Sequence, residues 1–468
     1  MKDSVFWFEQ KQVEPTAPLS GSIECDAVVI GGGMAGLSTA QWLREEAGLD
    51  VVVIEAKICG SGASGISSGL MNPDTELDTH QLTRRFGDEE GKFLWDAAFE
   101  GIQQVRRNID RFKIDCGYIP ADSLYVADSR LGTPEVKKEH RTRLRLGLES
   151  HFYQRKELSS VLGTDRFHAA VRFGGTFGMS ALHYLQGLRD SLVKLGVRIY
   201  ENSPATAIHP HEVTTGMGKV KAKHVFACLD RFGPSMGILP NNSYQQQNFI
   251  VVSEPIDPEI LGSIFPAGPM LVYDEHAVYH YFRPTPDGRL ILGGGLSRNA
   301  YDRKEAVPFK AGEYLKKFIR KKFPLLEQVQ FTHVWPGFLG ISRDLLPIAG
   351  RCFQKQESDP IYVAMCAGGM TWSLLAAQTA ARIAVEGKSP FERFFAPDRS
   401  FTPIDPLTRL LPKPTSFEFS HLYTKTLLKG MPDRIARQQQ WVRRTIWTLA
   451  ATSAVGTLWW LQTKRRKT

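Results

Sequence analysis

A glycine fingerprint near residue 31 constrains the fold of this chain more than any other feature. The apolar run CDAVVI leads into Gly31-x-Gly33-x-x-Gly36, and the helical pattern LSTAQWLREEAG follows. Gly31 permits a tight turn, Gly33 lets a pyrophosphate approach the backbone, and Gly36 lets the helix pack closely on the strand. Free N–H groups at the start of the helix favour phosphate binding. The pattern predicts a dinucleotide-binding βαβ unit.

An acidic residue at the end of the next strand supports this interpretation. The run DVVVIEA reaches Glu55 and Ala56, 19 residues past Gly36, where a carboxylate accepts hydrogen bonds from ribose hydroxyls. The alternative is a glycine-rich turn in an unrelated α/β fold, with Glu55 a solvated strand end. The order of strand, glycines, helix, strand and acid favours the dinucleotide site.

A second glycine-rich loop, GSGASGISSG, follows this strand. Its backbone N–H groups and the hydroxyls of Ser61 and Ser64 are suited to a second phosphate; the alternative is a flexible surface loop. Only one complete fingerprint is present, because the GGG run at 293–295 precedes SRNAYDRKE rather than a helix. The sequence therefore predicts FAD rather than NAD as the dinucleotide.

A further strand-to-helix turn lies at residues 368–370. In IYVAMCAGGMTWSLLAAQTAARIA, Gly368 and Gly369 precede a helix whose N-terminus is suited to stabilising negative charge on a reduced flavin ring. The alternative is a plain packing turn. The predicted cofactor-binding residues are Gly31, Gly33, Met34, Ala35, Gly36, Glu55, Ala56, Ser61, Gly62, Ala63, Ser64, Gly368, Gly369 and Met370.

The net charge of +9 is concentrated at one end of the chain. Residues 421–468 hold ten basic residues and one acidic residue, which accounts for the whole excess and leaves the rest neutral. A neutral body argues against nucleic acid as a partner. The six scattered cysteines form no CxxC pair, so the sequence predicts no metal site and no disulfide framework.

The basic tail contains an uncharged stretch at 445–463. As a helix it would be about 28 Å long, close to the thickness of a bilayer core, and tryptophans lie near both its ends. We expect a membrane-spanning helix here; a helix lying on the membrane surface or docked on the body is the alternative. Since the chain starts without an apolar signal-peptide region, we expect the catalytic body in the cytoplasm.

Together these segments resemble the D-amino-acid-oxidase-like (DAO) family of FAD-dependent oxidoreductases over roughly residues 5–395. The segments Val5-Phe6-Trp7 and Asp115-Cys116-Gly117-Tyr118 look like its γ-glutamylputrescine-oxidase-like branch. Besides these, the resemblance is carried by AVVIGGGMAGLSTAQWL, by VVVIEA with the GxGASG loop after it, by GRLILGGG, by the strand–GG–helix near 368 and by VWPGFLGISRDLLPIAG.

The resemblance implies an α/β fold in which a mixed or antiparallel substrate-domain sheet covers a Rossmann-like FAD-binding domain, and the sequence adds a C-terminal helical tail. It also implies oxidation of a C–N bond in a small amine or amino acid, by hydride transfer to flavin N5 and hydrolysis of the imine. Either O2 or a quinone would accept the electrons. The expected bounds are an extended leader at 1–24, the FAD-binding domain at 25–90, 150–240 and 340–395, the substrate domain at 91–149 and 241–339, a linker at 396–420 and the tail at 421–468.

Three departures from the family pattern touch the predicted site. Leu339 stands where amino-acid oxidases carry an arginine that clamps the substrate carboxylate, which favours an amine unless Arg283 or Arg343 compensates. The stretch 335–337, Trp-Pro-Gly, lacks the cysteine that links FAD in the sarcosine-oxidase branch, so noncovalent FAD is expected. Residues 66–69 read Ile-Ser-Ser-Gly where that branch has R-N-G-G.

Four residues are candidates for the substrate pocket: Tyr281, Arg283, Trp335 and Trp372. Each has an ordinary packing or surface role as its alternative. Two other functions stay open for the whole chain. One is a membrane-tethered dehydrogenase that passes electrons to a quinone, and the other is a flavin-binding module that has lost catalysis.

Overall fold

The computed structural model of the chain describes residues 1–73, 76–276, 278–300, 308–355 and 357–401, with Leu411, Thr415, Ser416 and Phe419 beyond them. The α-helices are α1 Phe6–Gln10, α2 Met34–Glu45, α3 Thr79–Phe86, α4 Asp88–Phe112, α5 Thr133–Arg145, α6 Ala181–Lys194, α7 Pro258–Ile264, α8 Pro308–Lys322, α9 Met370–Glu386 and α10 Glu392–Phe395. Short 3-10 helices occupy Arg155–Ser160, Asp230–Met236 and Pro324–Leu326. The strands are β1 Lys2–Asp3, β2 Gly21–Ile30, β3 Val51–Ile54, β4 Leu70–Met71, β5 Ile119–Pro120, β6 Asp122–Ala127, β7 His151–Gln154, β8 Ala169–Phe173, β9 Phe177–Gly178, β10 Arg198–Tyr200, β11 Ala205–Ile208, β12 Glu212–Thr215, β13 Gly218–Ala227, β14 Ser243–Ser253, β15 Met270–Asp274, β16 His280–Pro284, β17 Leu290–Ala300, β18 Phe331–Ser342, β19 Ile348–Phe353 and β20 Pro360–Met365.

One sheet has the parallel core expected of a dinucleotide-binding domain. Its parallel strands follow the order β10-β3-β2-β13-β20, while β19, β12 and β11 extend it with antiparallel pairs. Residues 27–30 of β2 and all of β3 are buried on both faces, which explains their continuous apolar runs. The predicted Rossmann-like domain is confirmed.

A nine-stranded mixed sheet forms the second layer, in the order β1-β18-β14-β17-β16-β15-β6-β8-β7. Its pairs are antiparallel except β1 with β18 and β15 with β6. One face packs on α8 through Leu315, Ile319 and Phe323. This is the mixed or antiparallel sheet that the family resemblance implies.

The leader is less extended than predicted. Residues 6–10 form α1, and Phe6 and Trp7 are buried against Leu182 and Trp335. A five-residue helix has little stability of its own, so this burial holds it in place. Pro15 and Pro18, whose rings break a helix and favour an extended leader, lie beyond the end of α1.

Two of the expected domain bounds differ from the architecture. The helix α4, expected in the substrate domain, packs on α9 and shares a core with Val29 and Leu375 of the parallel-sheet domain. The strands β7 and β8, expected in the FAD-binding domain, belong to the nine-stranded sheet. An apolar stripe shows that an element is buried, but it does not show against which layer.

The basic tail lies beyond the part of the chain that the structure describes. Within the described residues, no helix is long and apolar enough to cross a membrane. The expected membrane helix at 445–463 and the rest of the basic tail lie outside those residues, as does most of the linker.

Candidate active site

The fingerprint turn requires glycine at two positions. Gly31 has a φ of +106°, and a Cβ there would lie 2.4 Å from the carbonyl oxygen of Cys228. A Cβ on Gly36 would lie 1.8 Å from the carbonyl oxygen of Gly31. Gly33 is the N-cap of α2 and offers no capping side chain. The N-cap residue therefore leaves the N–H groups at the start of α2 to be bound by other groups, as an anion site requires.

Glu55 lies directly against this turn. One carboxylate oxygen accepts a 2.7 Å hydrogen bond from the N–H of Gly32, and the other accepts one of 2.9 Å from the N–H of Lys57. Burial raises the pKa of Glu55 above its usual range. A carboxylate has about four acceptor sites, so two bonds leave capacity for a ribose hydroxyl.

The second glycine-rich loop contacts the first. The N–H of Gly60 donates to the carbonyl oxygen of Gly32 at 2.9 Å, and the N–H of Met34 donates to Ser64 Oγ at 3.1 Å. Ser61, Gly62 and Ala63 form the tip of this loop, and a Cβ on Gly62 would meet nothing within 4 Å. The two loops thus border one open space at the start of α2.

A buried acid that the sequence did not reveal holds the second loop. Glu201 follows β10, and its carboxylate accepts hydrogen bonds from the N–H groups of Cys59 and Thr16 at 2.5 and 2.6 Å. Arg189 pairs with it at 3.0 Å. A buried carboxylate with this many partners fixes the loop that it binds.

The turn at 366–370 brings a third glycine loop to the same sheet edge. Gly368 has a φ of +66°, and Gly369 is the N-cap of α9 without a side-chain cap. Met370 Sδ lies 3.5 Å from Ser67 Oγ, beside the second loop. The three loops follow β2, β3 and β20, at the carboxyl edge of the parallel sheet where such folds bind ligands.

Two tryptophans fasten the segment Ile66–Gly69 to the other layer. Trp335 Nε1 donates to the carbonyl oxygen of Ile66, and Trp7 Nε1 donates to that of Ser67, both at 2.9 Å. Trp335 is 1% exposed. The buried position of Trp335 favours a structural role behind the segment 66–69. The sequence did not predict the role of Trp7, because that role depends on the fold of the leader.

Arg283 fastens the next residue of the same segment. Its Nε donates to the carbonyl oxygen of Ser68 at 2.9 Å, and its two terminal nitrogens donate to those of Met179 and Pro284 at 2.6 and 3.0 Å. Burial lowers the pKa of Arg283 to about 9. Because each nitrogen serves a backbone carbonyl, this geometry favours a structural role over a clamp for a substrate carboxylate. The other candidate clamp, Arg343, donates to Ser416 Oγ at 2.6 Å.

The other two pocket candidates differ in exposure. Tyr281 on β16 is half-buried, hydrogen bonds with Ser68, and has a pKa raised above its usual range, mainly by burial. Trp372 is 1% exposed, and its Nε1 donates to the carbonyl oxygen of Pro73 at 3.1 Å. The geometry therefore favours Tyr281 as a pocket residue and Trp372 as a support.

One face of the nine-stranded sheet lies over these loops. Every second residue of β14 and β18 has its side chain on this face. At one end of the face Tyr244 and Ile341 pack into the core of the parallel-sheet domain, and at the other end Ile250 and Trp335 pack with Leu182 of α6. A Cβ on Gly337 would meet nothing within 4 Å, and Asn248 Oδ1 is buried without a hydrogen-bond partner in the described part of the chain. The facing pairs are Trp335 with Ile250, Gly337 with Asn248, and Leu339 with Gln246.

These features fit a dinucleotide. Three glycine loops converge at one sheet edge, two helix N-termini lack side-chain caps, and a carboxylate stands beside the first turn. Phosphates, a ribose and an anionic ring are the groups that such features bind. The site can therefore hold an extended, anionic cofactor between the two sheets.

Comparison with known proteins agrees with this geometry. Residues 26–383 match the family model DAO, described as FAD dependent oxidoreductase. Gamma-glutamylputrescine oxidoreductase of Escherichia coli K12 is 32% identical over 350 residues, covering 72% of this chain and 79% of the relative. The probable oxidoreductase OrdL of Rhizobium meliloti is 28% identical over 358 residues, covering 73% and 79%.

Solved structures show the same fold. Glycine oxidase from Geobacillus kaustophilus superposes with a TM-score of 0.68 at 18% identity, covering 81% of this chain and 99% of that one. An L-amino acid deaminase from Proteus vulgaris gives a TM-score of 0.64 at 20% identity, covering 83% and 97%. With the family model spanning most of the chain, this protein belongs to the DAO family of FAD-dependent oxidoreductases.

Proposed function

We propose that this enzyme oxidises the C–N bond of a small amine that lacks an α-carboxylate. The observation that carries the proposal is Leu339, an aliphatic side chain on the sheet face over the glycine loops, paired with Gln246. Arg283, the nearby candidate for a carboxylate clamp, donates to backbone carbonyls instead. The E. coli relative, named for an oxidoreductase of gamma-glutamylputrescine, supports an amine.

The cofactor would extend along the sheet edge. Gly31, Gly33 and the start of α2 would hold its pyrophosphate, with Ser61 and Ser64 beside it, and Glu55 would accept from a ribose. Met34, Ala35, Gly36, Ala56, Gly62, Ala63 and Met370 complete the predicted contacts. Gly368, Gly369 and the start of α9 would stabilise negative charge at the flavin end. When bound, FAD supplies the hydride acceptor for the substrate's α-carbon.

The side chains of the chain have a limited part in this chemistry. Leu339 packs against the core of the parallel-sheet domain, and its apolar side chain would exclude water from one part of a sheet face that also carries the amides of Gln246 and Asn248. Tyr281 and Asn248 offer polar atoms at the same face. The backbone of residues 66–68, which forms the wall of the site, is held by Trp335, Trp7 and Arg283. Binding and orientation are therefore the protein's main contributions.

We propose that FAD is held noncovalently. Cys366 lies close to the sheet face that covers the glycine loops, with its Sγ 2.9 Å from the position that a Cβ on Gly340 would occupy. Burial raises the pKa of this thiol well above its usual range. A thiol is a far weaker nucleophile than a thiolate. Denaturation should therefore release all the flavin into the supernatant, and flavin that stays on the precipitated chain would contradict this proposal.

The electron acceptor separates two versions of the proposal. An oxidase would return electrons to O2, whereas a membrane-tethered dehydrogenase would pass them to a quinone. The uncharged stretch 445–463 within the basic tail supports the second version, because it would bring the cytoplasmic body to a lipid-soluble acceptor.

Anaerobic bleaching of the flavin tests the function. Purified enzyme is mixed without oxygen with matched pairs, each an amine and the α-amino acid that yields it by decarboxylation. The amine is expected to bleach the flavin faster in each pair, and faster bleaching by the amino acids would overturn the proposal. Bleached enzyme is then mixed with air or with a soluble quinone analogue, and the faster re-oxidation identifies the acceptor.

A further inference from the structure

A carboxylate stands beside the turn at 368–369 and has no part in the function proposed above. Glu76 lies between β4 and α3, and its Cγ is 2.7 Å from the position that a Cβ on Gly368 would occupy. Gly368 directly precedes the N-cap of α9. Glu76 therefore fills the space that glycine leaves at the turn assigned to the flavin end.

The backbone around Glu76 is fastened on both sides. Before it, Thr371 Oγ1 donates to the carbonyl oxygen of Asn72 at 3.0 Å, and Trp372 donates to that of Pro73. After it, Asp78 is the N-cap of α3 and forms a capping box with Gln81. The chain on either side of Glu76 is thus held by the first turn of α9 and by the start of α3.

Glu76 contacts Tyr279, which is a neighbour of the pocket candidate Tyr281. The hydroxyl of Tyr279 hydrogen bonds with Glu76, and the ring of Tyr279 lies 5.8 Å from that of Tyr281. Burial, with the negative charge of Glu76 adding to it, raises the pKa of both tyrosines. Glu76 therefore places negative potential on the side of the site where Tyr281 stands.

We propose that Glu76 sets the charge preference of the site, attracting substrates with an ammonium group and repelling an α-carboxylate. This inference rests on the proposed amine oxidation. The same charge acts more strongly in a partly dehydrated pocket than in water, so a single residue discriminates between the two substrate classes. Glu76 repels the α-carboxylate of an amino acid, whereas Leu339 only fails to provide a positive charge that would bind it.

Glu76→Gln tests the inference, because it removes the charge and keeps the size and hydrogen bonding of the side chain. The probes are two pairs, butylamine with norvaline and putrescine with ornithine. The amine-to-amino-acid ratio of kcat/KM is expected to fall by about tenfold or more, mainly through KM. The decrease of amine kcat/KM with rising ionic strength should also weaken.

Three controls separate the outcomes. Glu100→Gln removes an equal charge from the exposed face of α4 and should leave the ratio unchanged. Glu76→Asp keeps the charge and should keep most of the preference. FAD content and melting temperature report whether each variant is folded.

An unchanged ratio in folded, FAD-loaded Glu76→Gln would overturn the inference while leaving amine oxidation intact. If neither member of any pair reduces the wild-type flavin, the proposed function fails instead. Binding then decides the role of Glu76. Titration of the flavin spectrum with butylamine and with butyrate should show a preference for the cation that Glu76→Gln loses, and equal preference in both proteins would refute the role.

Discussion

Trp335 Nε1 donates a 2.9 Å hydrogen bond to the carbonyl oxygen of Ile66, and this bond joins the nine-stranded sheet to the loop that follows β3. The next two carbonyls of the loop, those of Ser67 and Ser68, accept from Trp7 and Arg283. Three consecutive backbone acceptors are thus satisfied by side chains from the nine-stranded sheet and from the leader. The wall of the site therefore depends on these contacts as well as on the hydrogen bonds within the loop.

Trp335→Phe tests this fastening. The substitution keeps the buried ring but removes the donor to Ile66, and an unsatisfied carbonyl costs about 1–3 kcal/mol. The free energy of unfolding should fall by that amount, and FAD should dissociate faster. Denaturant titration and flavin release give the two measurements. Trp42→Phe, at a half-buried tryptophan of α2, is the control, and equal losses in both variants would refute a specific role for the bond.

Glu55→Ala tests the ribose contact. Loss of a hydrogen bond to a charged group costs about 1.5–3 kcal/mol, so FAD affinity should fall about ten- to hundredfold. Equilibrium titration of the apoprotein with FAD measures the change. Glu46→Ala, at an exposed acid after α2, serves as the matched control. A dissociation constant that is the same as in the wild type would place the ribose elsewhere.

Leu339→Arg should change the substrate preference. The new guanidinium would lie beside Gln246, on the sheet face that covers the glycine loops, and would pair with the α-carboxylate of an amino acid. We expect the amine-to-amino-acid ratio of kcat/KM to fall by about tenfold or more, a gain of roughly 1.4 kcal/mol for the acid. Leu339→Met, which keeps an apolar side chain, is the control. A preference that stays unchanged in folded Leu339→Arg would mean that the substrate's α-carbon lies away from this strand.

A buried ion cluster predicts how stability depends on pH. His80 Nδ1 lies 2.9 Å from Glu139 and Nε2 lies 2.6 Å from Glu135. Burial opposes the charge of His80, but the two carboxylates outweigh it and raise its pKa from 6.5 to about 10. The folded state therefore holds this proton more tightly than the unfolded state does. The stability gained is complete below pH 6.5 and is lost as the pH rises towards about 10.

Thermal unfolding of wild type and His80→Asn between pH 6 and pH 10 checks this dependence. The variant should be less stable at pH 6, by about 3–5 kcal/mol, since it leaves buried carboxylates without their partner. As the pH rises from 6 to 10, the stability of the variant should also decline less than that of the wild type. His211→Asn, at an exposed histidine, is the control, and parallel pH profiles for His80→Asn and wild type would contradict the assignment.

Deletion of residues 421–468 tests the tail. The predicted cofactor-binding residues all lie before residue 371, so the shortened protein should bind FAD and be bleached by soluble substrates as before. It should also lose its association with membranes. Alkaline carbonate then distinguishes a spanning helix, which stays in the pellet, from a surface-bound basic helix, which is released. Full-length protein that needs no detergent at physiological salt would refute the membrane prediction.

The sequence predicted those parts of the site that local sterics determine. A Cβ on Gly36 would almost touch the carbonyl oxygen of Gly31, so the glycine spacing by itself reveals the turn. Glu55 was predictable as well, because it ends the second strand of the same βαβ unit. The parallel core was also predictable, because continuous apolar runs are typical of buried parallel strands, whereas the second sheet was expected from the family resemblance.

Residues that act across long distances in the chain were not predictable in the same way. No local pattern marks Glu201 as the acid that binds Cys59, or Trp7 as a donor to Ser67. Arg283 was predicted at the pocket, but its three bonds to carbonyls depend on loops that only the fold brings together. The partner of α4 was missed for the same reason, since an amphipathic pattern does not identify its partner.

The placement of the leader has a consequence for how the protein forms. Glu9 Oε2 lies 3.1 Å from His333 Nε2, although the two residues are 324 positions apart, and β1 pairs with the strand that holds His333. During synthesis the leader therefore leaves the ribosome long before its partner strand exists. Its docking, and with it the bond from Trp7, must be a late step. Until then the wall of the site lacks the donor from Trp7, and before β18 exists it lacks the donor from Trp335 as well, so newly made chains should acquire full flavin affinity only after β18 has folded and the leader has docked.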